Sequence, residues 1–456
     1  MDTKTLNKLL NLDVDPIAPG FIIYSEEASP RLNYVAEFIF KHVLKVNIKI
    51  TASVSEFEIS PLYKINYSEK SIPVSLQILP AGFLFENGVT ENKPEVVLKN
   101  SLIYFFENKQ AANTNFNYDI FSAVFYFISR YEEWQSFEAD AHGRFEAKES
   151  ILFKNNLHLK PVVDIWIYEL KSELEKFYYE LKFPQTKFKA ISTIDVDNLY
   201  AYKKKGFFRT SGAILKDVLK FDFKNLNYRL KVLQNKQKDP FDIYSEVSEF
   251  CNDKNIPLFV FFLCATGNKY DRTVDPRSGA FIEVTKNLKK QDAIIGLHPS
   301  YYSSQNADLL SYEMQSLSKT AAIPINLSRQ HYLRFNIKTT PALLMQNGII
   351  ADFTMGFASA PGFRAGTSFP FYYFNLNENK PQQLLMVPFC TMDGVYFVYN
   401  RVEPEKMLSS LKDLASEVRK VNGLFVSVFH ERTFSNHLYP GYDRIYNNFY
   451  QTVNDL

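Results

Sequence analysis

The chain has 456 residues, more than one domain usually contains, and 46% of them are hydrophobic, which is sufficient for packed cores. Its 52 basic and 50 acidic residues leave a formal net charge of +2, and so balanced a charge gives no support to nucleic-acid binding. Aromatic residues are abundant, with 41 Phe and 28 Tyr. Such residues can line carbohydrate-binding clefts, but phenylalanine in this number more often packs in the core.

Cysteine use and hydropathy predict a cytoplasmic protein without a membrane span. The three cysteines, Cys251, Cys264 and Cys390, form neither a disulfide framework nor a metal-binding spacing, which indicates a reducing compartment. The segment Met1–Asp15 carries charges among its leucines and lacks the apolar region of a signal peptide. No apolar run reaches the length of a transmembrane helix.

The first part of the chain, residues 1–187, predicts a smaller α/β domain. Ser29 and Pro30 are a suitable N-cap and first position for an amphipathic helix over Arg31–Leu44. This part has no glycine-rich phosphate loop, so nucleotide binding has no support. Leu181–Lys189, with Pro184 and three lysines, predicts the linker that follows. Strands are predicted at Gly20–Tyr24, Val46–Thr51, Tyr63–Tyr67 and Val74–Leu79.

The same part contains an apolar helix over Asp119–Arg130 that is followed by a dense group of charges. The group is either a polar site or an ion-pair network at the surface, and we favour the network because such networks commonly position loops. It comprises Arg130, Glu132, Glu133, Asp140, His142 and Arg144.

In the second part, residues 188–456, strand-like apolar runs alternate with helical patterns. This alternation predicts parallel βαβ units and a closed or partly closed barrel, in which the chemistry lies at the C-terminal ends of the strands. The predicted strands are Ala190–Ile194, Pro257–Leu263, Ala293–Leu297, Ile323–Leu327, Gly348–Ala351, Leu384–Pro388 and Leu424–Phe429. The predicted helices are Pro240–Cys251, Phe281–Lys289, Asn306–Ser318, Thr340–Gln346 and Pro404–Val421.

Two aspartates lie at the end of the first of these strands. Asp195 and Asp197 project from the same face, because side chains alternate along a strand. Two like charges beside an apolar run repel each other and resist burial, and a cation or a shared proton relieves that repulsion. The pair is either a metal site or, more simply, one capping and one solvated carboxylate.

Polar residues follow most of the other strands, at the rim where a barrel places its site. A single histidine there is more often structural, but repeated histidines beside a carboxylate pair favour a functional site. Tyr270–Arg272 and Met392–Asp393 also fall at this rim, and we interpret them as loop anchors. The candidates are His298 after the third strand, Arg329 and His331 after the fourth, Asp352 after the fifth and His430 after the seventh.

The order of these residues resembles the metal-dependent polysaccharide deacetylases, the carbohydrate esterases that share the chitooligosaccharide deacetylase domain. Thr193–Asp197 matches the first motif of that family, in which the first aspartate is the general base and the second binds the metal. His298–Tyr302 stands at the second motif, His-x-x-x-His, whose histidines bind the metal. The resemblance implies a distorted (β/α)7 barrel, a divalent metal and a carbohydrate substrate.

The later motifs extend the resemblance. Arg329 is the candidate for the third-motif arginine that orients the base, and the fourth motif lies near Asp352. Val428–His430 matches the position of the fifth motif, Leu-x-His, whose histidine is the general acid. Arg364 lies in the loop Gly356–Ser368, which either clamps an anionic or sugar group or is a structural loop shaped by its glycines.

Tyr302 departs from the family pattern, because it replaces the second histidine and a neutral tyrosine is a poor zinc ligand. Asp197 and His298 supply two ligands, and His331, at the end of the next strand, is the expected third. The most suitable ion is zinc. Tyr302, Asp352 and Arg364 are then candidates for contacts with substrate.

Nearly the whole chain also resembles a narrower group of two-domain, deacetylase-like proteins. The expected function is removal of N-acetyl groups from a sugar or polysaccharide by metal-activated water. Two alternatives stay open: a catalytically inactive carbohydrate-binding or assembly protein in surface-glycan production, and a hydrolase of another non-peptide C–N bond. The sequence motifs that carry this resemblance lie at Ser129–Glu133, His142–Phe145, Ser328–Arg334 and Gly362–Ser368.

Overall fold

A computed structural model describes residues 1–13, 19–91, 93–99, 102–108, 116–265 and 267–453. They form two compact units, each built from three stretches of sequence. The first unit is Met1–Lys189, Phe335–Thr391 and Asp413–Val426, and the second is Ala190–Arg334, Met392–Lys412 and Ser427–Leu456. The first stretch of the first unit ends at Lys189, two residues beyond the predicted domain boundary. Residues 335–391 and 413–426 also belong to the first unit, although the sequence predicted them to be part of the second domain.

The elements are numbered in chain order. The strands are β1 Gly20–Tyr24, β2 Asn47–Thr51, β3 Tyr63–Asn66, β4 Leu76–Gln77, β5 Val96–Lys99, β6 Leu102–Phe105, β7 Lys189–Val196, β8 Leu258–Leu263, β9 Ile294–His298, β10 Leu327–Ser328, β11 Ala351–Asp352, β12 Phe371–Asn375, β13 Lys380–Met386, β14 Thr391–Met392 and β15 Leu424–His430. The α-helices are α1 Thr3–Leu9, α2 Pro30–Ala36, α3 Val54–Ile59, α4 Ile120–Ile128, α5 Tyr131–Trp134, α6 Ile151–Lys154, α7 Val162–Phe177, α8 Phe207–Leu219, α9 Phe223–Leu233, α10 Tyr244–Asp253, α11 Gly279–Lys290, α12 Ala307–Ala321, α13 Thr340–Gln346, α14 Pro404–Lys420 and α15 Ile445–Thr452.

The first unit contains a parallel sheet with strand order β2-β1-β3-β4. Helix α2 begins as predicted, because Ser29 Oγ accepts from the Leu32 amide and Pro30 occupies the first position. The helix continues as a π-helical segment over Glu37–Val43, so the predicted helix over Arg31–Leu44 is confirmed. Helix α4 is buried along its whole length, which explains why its sequence is apolar on every side.

The same unit contains the later strands β11, β12 and β13. Strand β13 pairs parallel with β11 and antiparallel with β12. The sequence pattern did not predict β12, and its antiparallel direction departs from a purely parallel barrel.

The second unit is built on parallel strands in the order β10-β9-β8-β7, and residues 427–430, the part of β15 that belongs to this unit, lie next to β7. Residues Leu258–Leu263 of β8 are all buried, as expected for a strand covered on both faces. Because the strands are parallel, their C-terminal ends meet at one edge. Asp197, His298 and His430 lie at that edge.

The mixed α/β class is confirmed, whereas the count of seven barrel strands stays a prediction. The predicted strand Ile323–Leu327 forms only at its end, as Leu327–Ser328. Pro324 explains the shortening, because proline has no N–H to donate to a sheet. Helices α8 and α9 fall in a stretch for which the sequence pattern predicted no element. In the part of the chain that the structure describes, no helix combines the length and apolar composition needed to cross a membrane.

Candidate active site

Asp197, His298 and His331 come together in the second unit as a buried cluster. Their three nearest side-chain atoms lie within 4.8 Å of one another. Asp197 Oδ1 is 3.5 Å from His298 Nε2 and 3.4 Å from His331 Nε2. The three residues proposed from the sequence as metal ligands are therefore neighbours, although they come from the ends of three different strands.

The donor set of this cluster fits a divalent metal ion. Among the described residues, none donates a hydrogen bond to the buried Asp197 Oδ1. A buried carboxylate oxygen without a donor is costly, and a cation removes that cost. Two ligand atoms that are each about 2.1 Å from a tetrahedral zinc ion lie about 3.4 Å apart, which is close to both observed separations.

The second ring nitrogen of each histidine is already engaged. His298 Nδ1 is 2.5 Å from the backbone oxygen of Arg329, and His331 Nδ1 is 2.7 Å from Asp271 Oδ1. With the proton on Nδ1 in both rings, each Nε2 presents its lone pair toward Asp197. Partners of this kind fix the tautomer and orientation of histidines that bind metals.

Neighbouring groups hold Asp197 in its charged form. Burial opposes ionisation of Asp197, but Arg432 and His331 outweigh burial and hold the pKa of Asp197 well below its usual value. Burial alone would lower the pKa of His298, whereas Asp195 and Asp197 outweigh it and raise that pKa. The same carboxylates that attract a proton to His298 attract a metal ion in its place.

Asp195 lies beside the cluster and is held by Arg329. Arg329 Nη1 donates to Asp195 Oδ1 at 2.8 Å and to Thr193 Oγ1 at 2.7 Å, and the guanidinium packs 4.7 Å from the Phe261 ring centre. The other carboxylate oxygen, Asp195 Oδ2, is 3.9 Å from His298 Nε2. One oxygen of Asp195 is thus anchored by a buried cation, while the other faces the cluster.

His430 is paired with a carboxylate that the sequence interpretation treated as a loop anchor. Its Nδ1 is 2.6 Å from Asp393 Oδ1, and its backbone N–H donates to Asp393 Oδ2 at 2.7 Å. Burial works against a charged imidazole, but Asp393 outweighs burial and raises the pKa of His430 to about 9. His430 is therefore protonated near neutral pH, as a general acid must be.

The segment after β15 also supports Asp197. Arg432 Nη2 donates to Asp197 Oδ2 at 2.7 Å, which leaves Oδ1 to face the two histidines. Glu431 accepts hydrogen bonds from the backbone N–H groups of Asp197 and Asn198, at 3.1 and 3.3 Å. These contacts fix the turn that follows β7, and so the position of the aspartate within the cluster.

Four tyrosines form a surface beside the cluster, which we call the tyrosine platform: Tyr270, Tyr301, Tyr302 and Tyr332. The rings of Tyr270 and Tyr301 stack at 3.8 Å, and Tyr332 is 4.6 Å from the His331 ring. Tyr302 is 49% exposed and meets Tyr301 edge to face at 5.2 Å. Tyr302 is therefore the exposed member of an aromatic group whose other three rings are buried or half-buried.

The backbone is strained where the platform meets the cluster. Tyr332 and Leu333 both have positive φ, 58° and 53°, directly after His331. For residues with a Cβ this conformation costs about 1–3 kcal/mol each, and it persists only where the surroundings impose it. The following residue, Arg334, is tied to the platform, since its Nη1 donates to the Tyr301 backbone oxygen at 2.6 Å.

The other two proposed substrate contacts belong to the first unit. Arg364 is buried and makes two hydrogen bonds to Glu133, at 2.8 and 2.7 Å. Arg130 pairs with the same carboxylate at 2.9 Å, so this part of the predicted surface network is instead buried, whereas Asp140 and His142 are half-buried. This environment favours a structural role for Arg364 over the predicted contact with substrate. Asp352 is also buried, and it accepts from the Thr354 amide at 2.9 Å.

Sequence reasoning undervalued the two partner carboxylates, Asp271 and Asp393. Each follows a predicted strand at the rim, which is the signal that identifies them. Both residues do anchor loops, as interpreted, but each also binds a histidine. Asp271 accepts a hydrogen bond from the Tyr301 amide at 3.0 Å and also contacts His331. Asp393 likewise joins its loop to His430.

Comparisons with known proteins give a partial match. A family model described as a family of unknown function (DUF7033) matches residues 21–179. No curated protein matches the chain.

Among solved structures, one described as a "putative polysaccharide deacetylase from Mycobacterium smegmatis" is 14% identical, covering 60% of this chain and 87% of its own, with a TM-score of 0.39. A "probable Polysaccharide deacetylase from Pseudomonas aeruginosa PAO1" is 13% identical, covering 58% and 85%, with a TM-score of 0.37. A mutant of a CE4 family pseudoenzyme with restored enzymatic activity is 10% identical, covering 58% and 64%, with a TM-score of 0.26. Similarities this distant carry no argument about activity.

Proposed function

We propose that this chain is a metal-dependent hydrolase that removes N-acetyl groups from a sugar or polysaccharide. The observation that carries the proposal is the buried Asp197 Oδ1, which receives no hydrogen bond from the described residues and faces the Nε2 atoms of His298 and His331. Together with Asp195 and His430, this set contains the ligands, the base and the acid that amide hydrolysis requires. Zinc is the proposed ion because its ligand chemistry matches two imidazoles and one carboxylate.

A divalent ion bound at the cluster supplies Lewis-acid chemistry, which polarises a carbonyl group and lowers the pKa of water. Asp195 is the proposed base. Its Oδ2 faces the cluster and accepts the proton of the attacking water, while the hydrogen bond from Arg329 to Oδ1 keeps the carboxylate oriented and favours its charged form.

His430 is the proposed general acid. It holds its proton near neutral pH because Asp393 stabilises the imidazolium. Since Nδ1 is engaged with Asp393, the proton that leaves is the one on Nε2, and it goes to the departing nitrogen. A base and an acid of this type each contribute about 10²–10⁴-fold to the rate.

The direct test of the proposed function is acetate release from N-acetylated oligosaccharides by the zinc-loaded protein. Release by the wild type that disappears when the metal is chelated, and returns when zinc is added, supports the proposal. Zinc-loaded protein that binds the oligosaccharides without releasing acetate would instead support the inactive carbohydrate-binding alternative.

Replacing Asp393 with Asn should move the basic limb of the pH profile to lower pH. Protonated His430 is the active form, so activity is present below its pKa and is lost as the pH rises through about 9. Removing the Asp393 charge lowers the pKa of His430, and the midpoint of the basic limb should move to lower pH by roughly one pH unit or more. The measurement is kcat against pH for both proteins, and an unmoved basic limb would show that His430 is not the titrating acid.

Replacing Tyr302 with Ala should raise KM for acetylated oligosaccharides by about 2–10-fold and leave kcat within about twofold. The exposed ring offers a face to a sugar, and aromatic contacts are worth about 0.5–1.5 kcal/mol. Tyr312, which is also half exposed at 48%, is the matched control, because it lies in α12 outside the platform. Equal kinetics for the Tyr302→Ala and Tyr312→Ala variants would remove Tyr302 from the substrate site.

A further inference from the structure

Helices α8 and α9 expose apolar side chains to an extent that globular helices avoid. In α8, Phe207 is 79% exposed, Phe208 is 88% exposed and Leu219 is 69% exposed. The connection and the second helix continue the pattern, with Phe221 at 78% and Phe223 at 60%. Clustered exposure of large apolar side chains marks a surface that contacts another phase or partner.

The two helices nevertheless form a defined hairpin, and polar contacts hold it together. Asp217 is buried, and it is the residue of α8 that turns inward. It pairs with Arg229 of α9 at 2.7 Å and accepts from Asn225 Nδ2 at 3.0 Å. A helix of a soluble domain turns its apolar side inward and its charges outward. The α8–α9 hairpin does the opposite: the charged Asp217 faces inward, and large apolar side chains face solvent.

The charge of the same segment is positive. Residues 207–233, which span the two helices, contain six Lys and Arg and two Asp, a net charge of +4, whereas the whole chain carries +2. One of the two acids, Asp217, is neutralised by Arg229 inside the hairpin. The surface of the hairpin therefore combines exposed phenyl and leucyl groups with an excess of cations.

The apolar and the basic side chains lie in adjacent stripes along α8. Phe208, Leu215 and Leu219 are separated by seven and then four residues, so they lie on one side of the helix. Arg209, Lys216 and Lys220 repeat the same spacing one position later, about 100° around the helix at 3.6 residues per turn. An apolar stripe flanked by a basic stripe is the pattern of helices that lie in the plane of a membrane surface.

We infer that the α8–α9 hairpin docks this protein on the surface of an anionic lipid bilayer. The phenyl and leucyl groups enter the boundary between headgroups and acyl chains, while the exposed lysines, among them Lys216 and Lys220, extend to the lipid phosphates. A bilayer satisfies both features at once, because it offers an apolar phase beneath a negatively charged layer.

Other occupants fit less well. A second copy related by twofold symmetry would place one hairpin with a net charge of +4 against another, and this repulsion opposes association. A nucleic acid would complement the charge but would leave the leucines without an apolar environment. The inference does not depend on the proposed hydrolase activity, and its test needs no substrate.

The test is flotation of the full-length protein with lipid vesicles. Wild type should bind vesicles of phosphatidylcholine with about 30% phosphatidylglycerol at least about tenfold more tightly than pure phosphatidylcholine vesicles, and raised salt should weaken binding. Replacing both Phe207 and Phe208 with Ser should reduce the affinity for anionic vesicles about tenfold or more. The charge reversal Lys216→Glu with Lys220→Glu should do the same.

Matched controls separate the hairpin from the general surface. Lys286 and Lys290 of α11 are also exposed and four residues apart, so Lys286→Glu with Lys290→Glu makes the same change of charge elsewhere. Ile59 and Tyr179, exposed by 83% and 81%, provide the apolar control as Ile59→Ser with Tyr179→Ser. Both control proteins should bind like the wild type.

Three results would overturn the inference. The first is wild type that fails to float with anionic vesicles at low salt. The second is an equal loss of binding in the hairpin variants and the control variants. The third is a wild-type dimer in sedimentation that Phe207→Ser with Phe208→Ser converts to monomer while vesicle binding is absent, which would identify a second copy as the occupant.

Discussion

Replacing Asp195 with Asn is expected to lower kcat on N-acetylated oligosaccharides by about 10²–10⁴-fold, with KM and metal content unchanged. The amide oxygen of Asn can still accept the hydrogen bond that Arg329 donates to Asp195 Oδ1 at 2.8 Å, so the local structure is preserved. The amide has no basic oxygen to receive a proton from water. The chemical step is therefore lost while the cluster of Asp197, His298 and His331 stays intact.

The matched control for this change is Asp253→Asn, which alters an exposed carboxylate at the end of α10 in the same unit. Its kcat should equal that of the wild type within about twofold. Steady-state kinetics and elemental analysis of the three proteins provide the comparison. A loss smaller than about tenfold for Asp195→Asn, with metal retained, would remove Asp195 from the role of base.

Replacing His430 with Ala should also lower kcat by about two or more orders of magnitude, because the leaving nitrogen then departs without a proton donor. Metal content should not change, since His430 Nδ1 is bound to Asp393 and the ligand cluster does not include this residue. Combining His430→Ala with Asp195→Asn should cost less than the sum of the two losses, because base and acid serve one proton path.

His437 is the control for this second change. It lies in the same C-terminal segment, but its ring stacks on Tyr228 at 3.9 Å, and its Nε2 is 3.1 Å from Asn225 Oδ1. His437→Ala should retain kcat within about twofold. If the His437 and His430 variants lose activity equally, the effect is on the fold and the assignment of His430 as acid is contradicted.

Much of the fold could be predicted from local pattern. Helix α13 and strand β1 have the bounds that the sequence indicates, and β7, β8 and β9 lie where buried apolar runs predict them. These elements depend on periodicity and apolar runs, which the chain carries locally. Because parallel strands of a barrel present their C-terminal ends at one rim, the positions of Asp197, His298 and His331 after three such strands predict that they lie together.

What could not be predicted depends on distant partners. Asp271 meets His331 across 60 residues, and Asp393 meets His430 across 37, so neither pair leaves a local pattern. Burial of Arg364 against Glu133 is likewise set by residues 231 positions apart. Helix α8 was not predicted, although Phe208, Leu215 and Leu219 recur at helical spacing, and the structure shows this apolar stripe facing outward rather than into a core.

The central claim is that Asp197, His298 and His331 hold a divalent metal ion. Elemental analysis of the purified, zinc-equilibrated and dialysed protein tests it most directly, with His298→Ala as the site variant and His437→Ala as the control. Wild type and control should retain about one zinc per chain, and His298→Ala should retain essentially none with an unchanged circular dichroism spectrum. Wild type without stoichiometric metal, or a His298→Ala protein that retains the wild-type amount, would contradict the site.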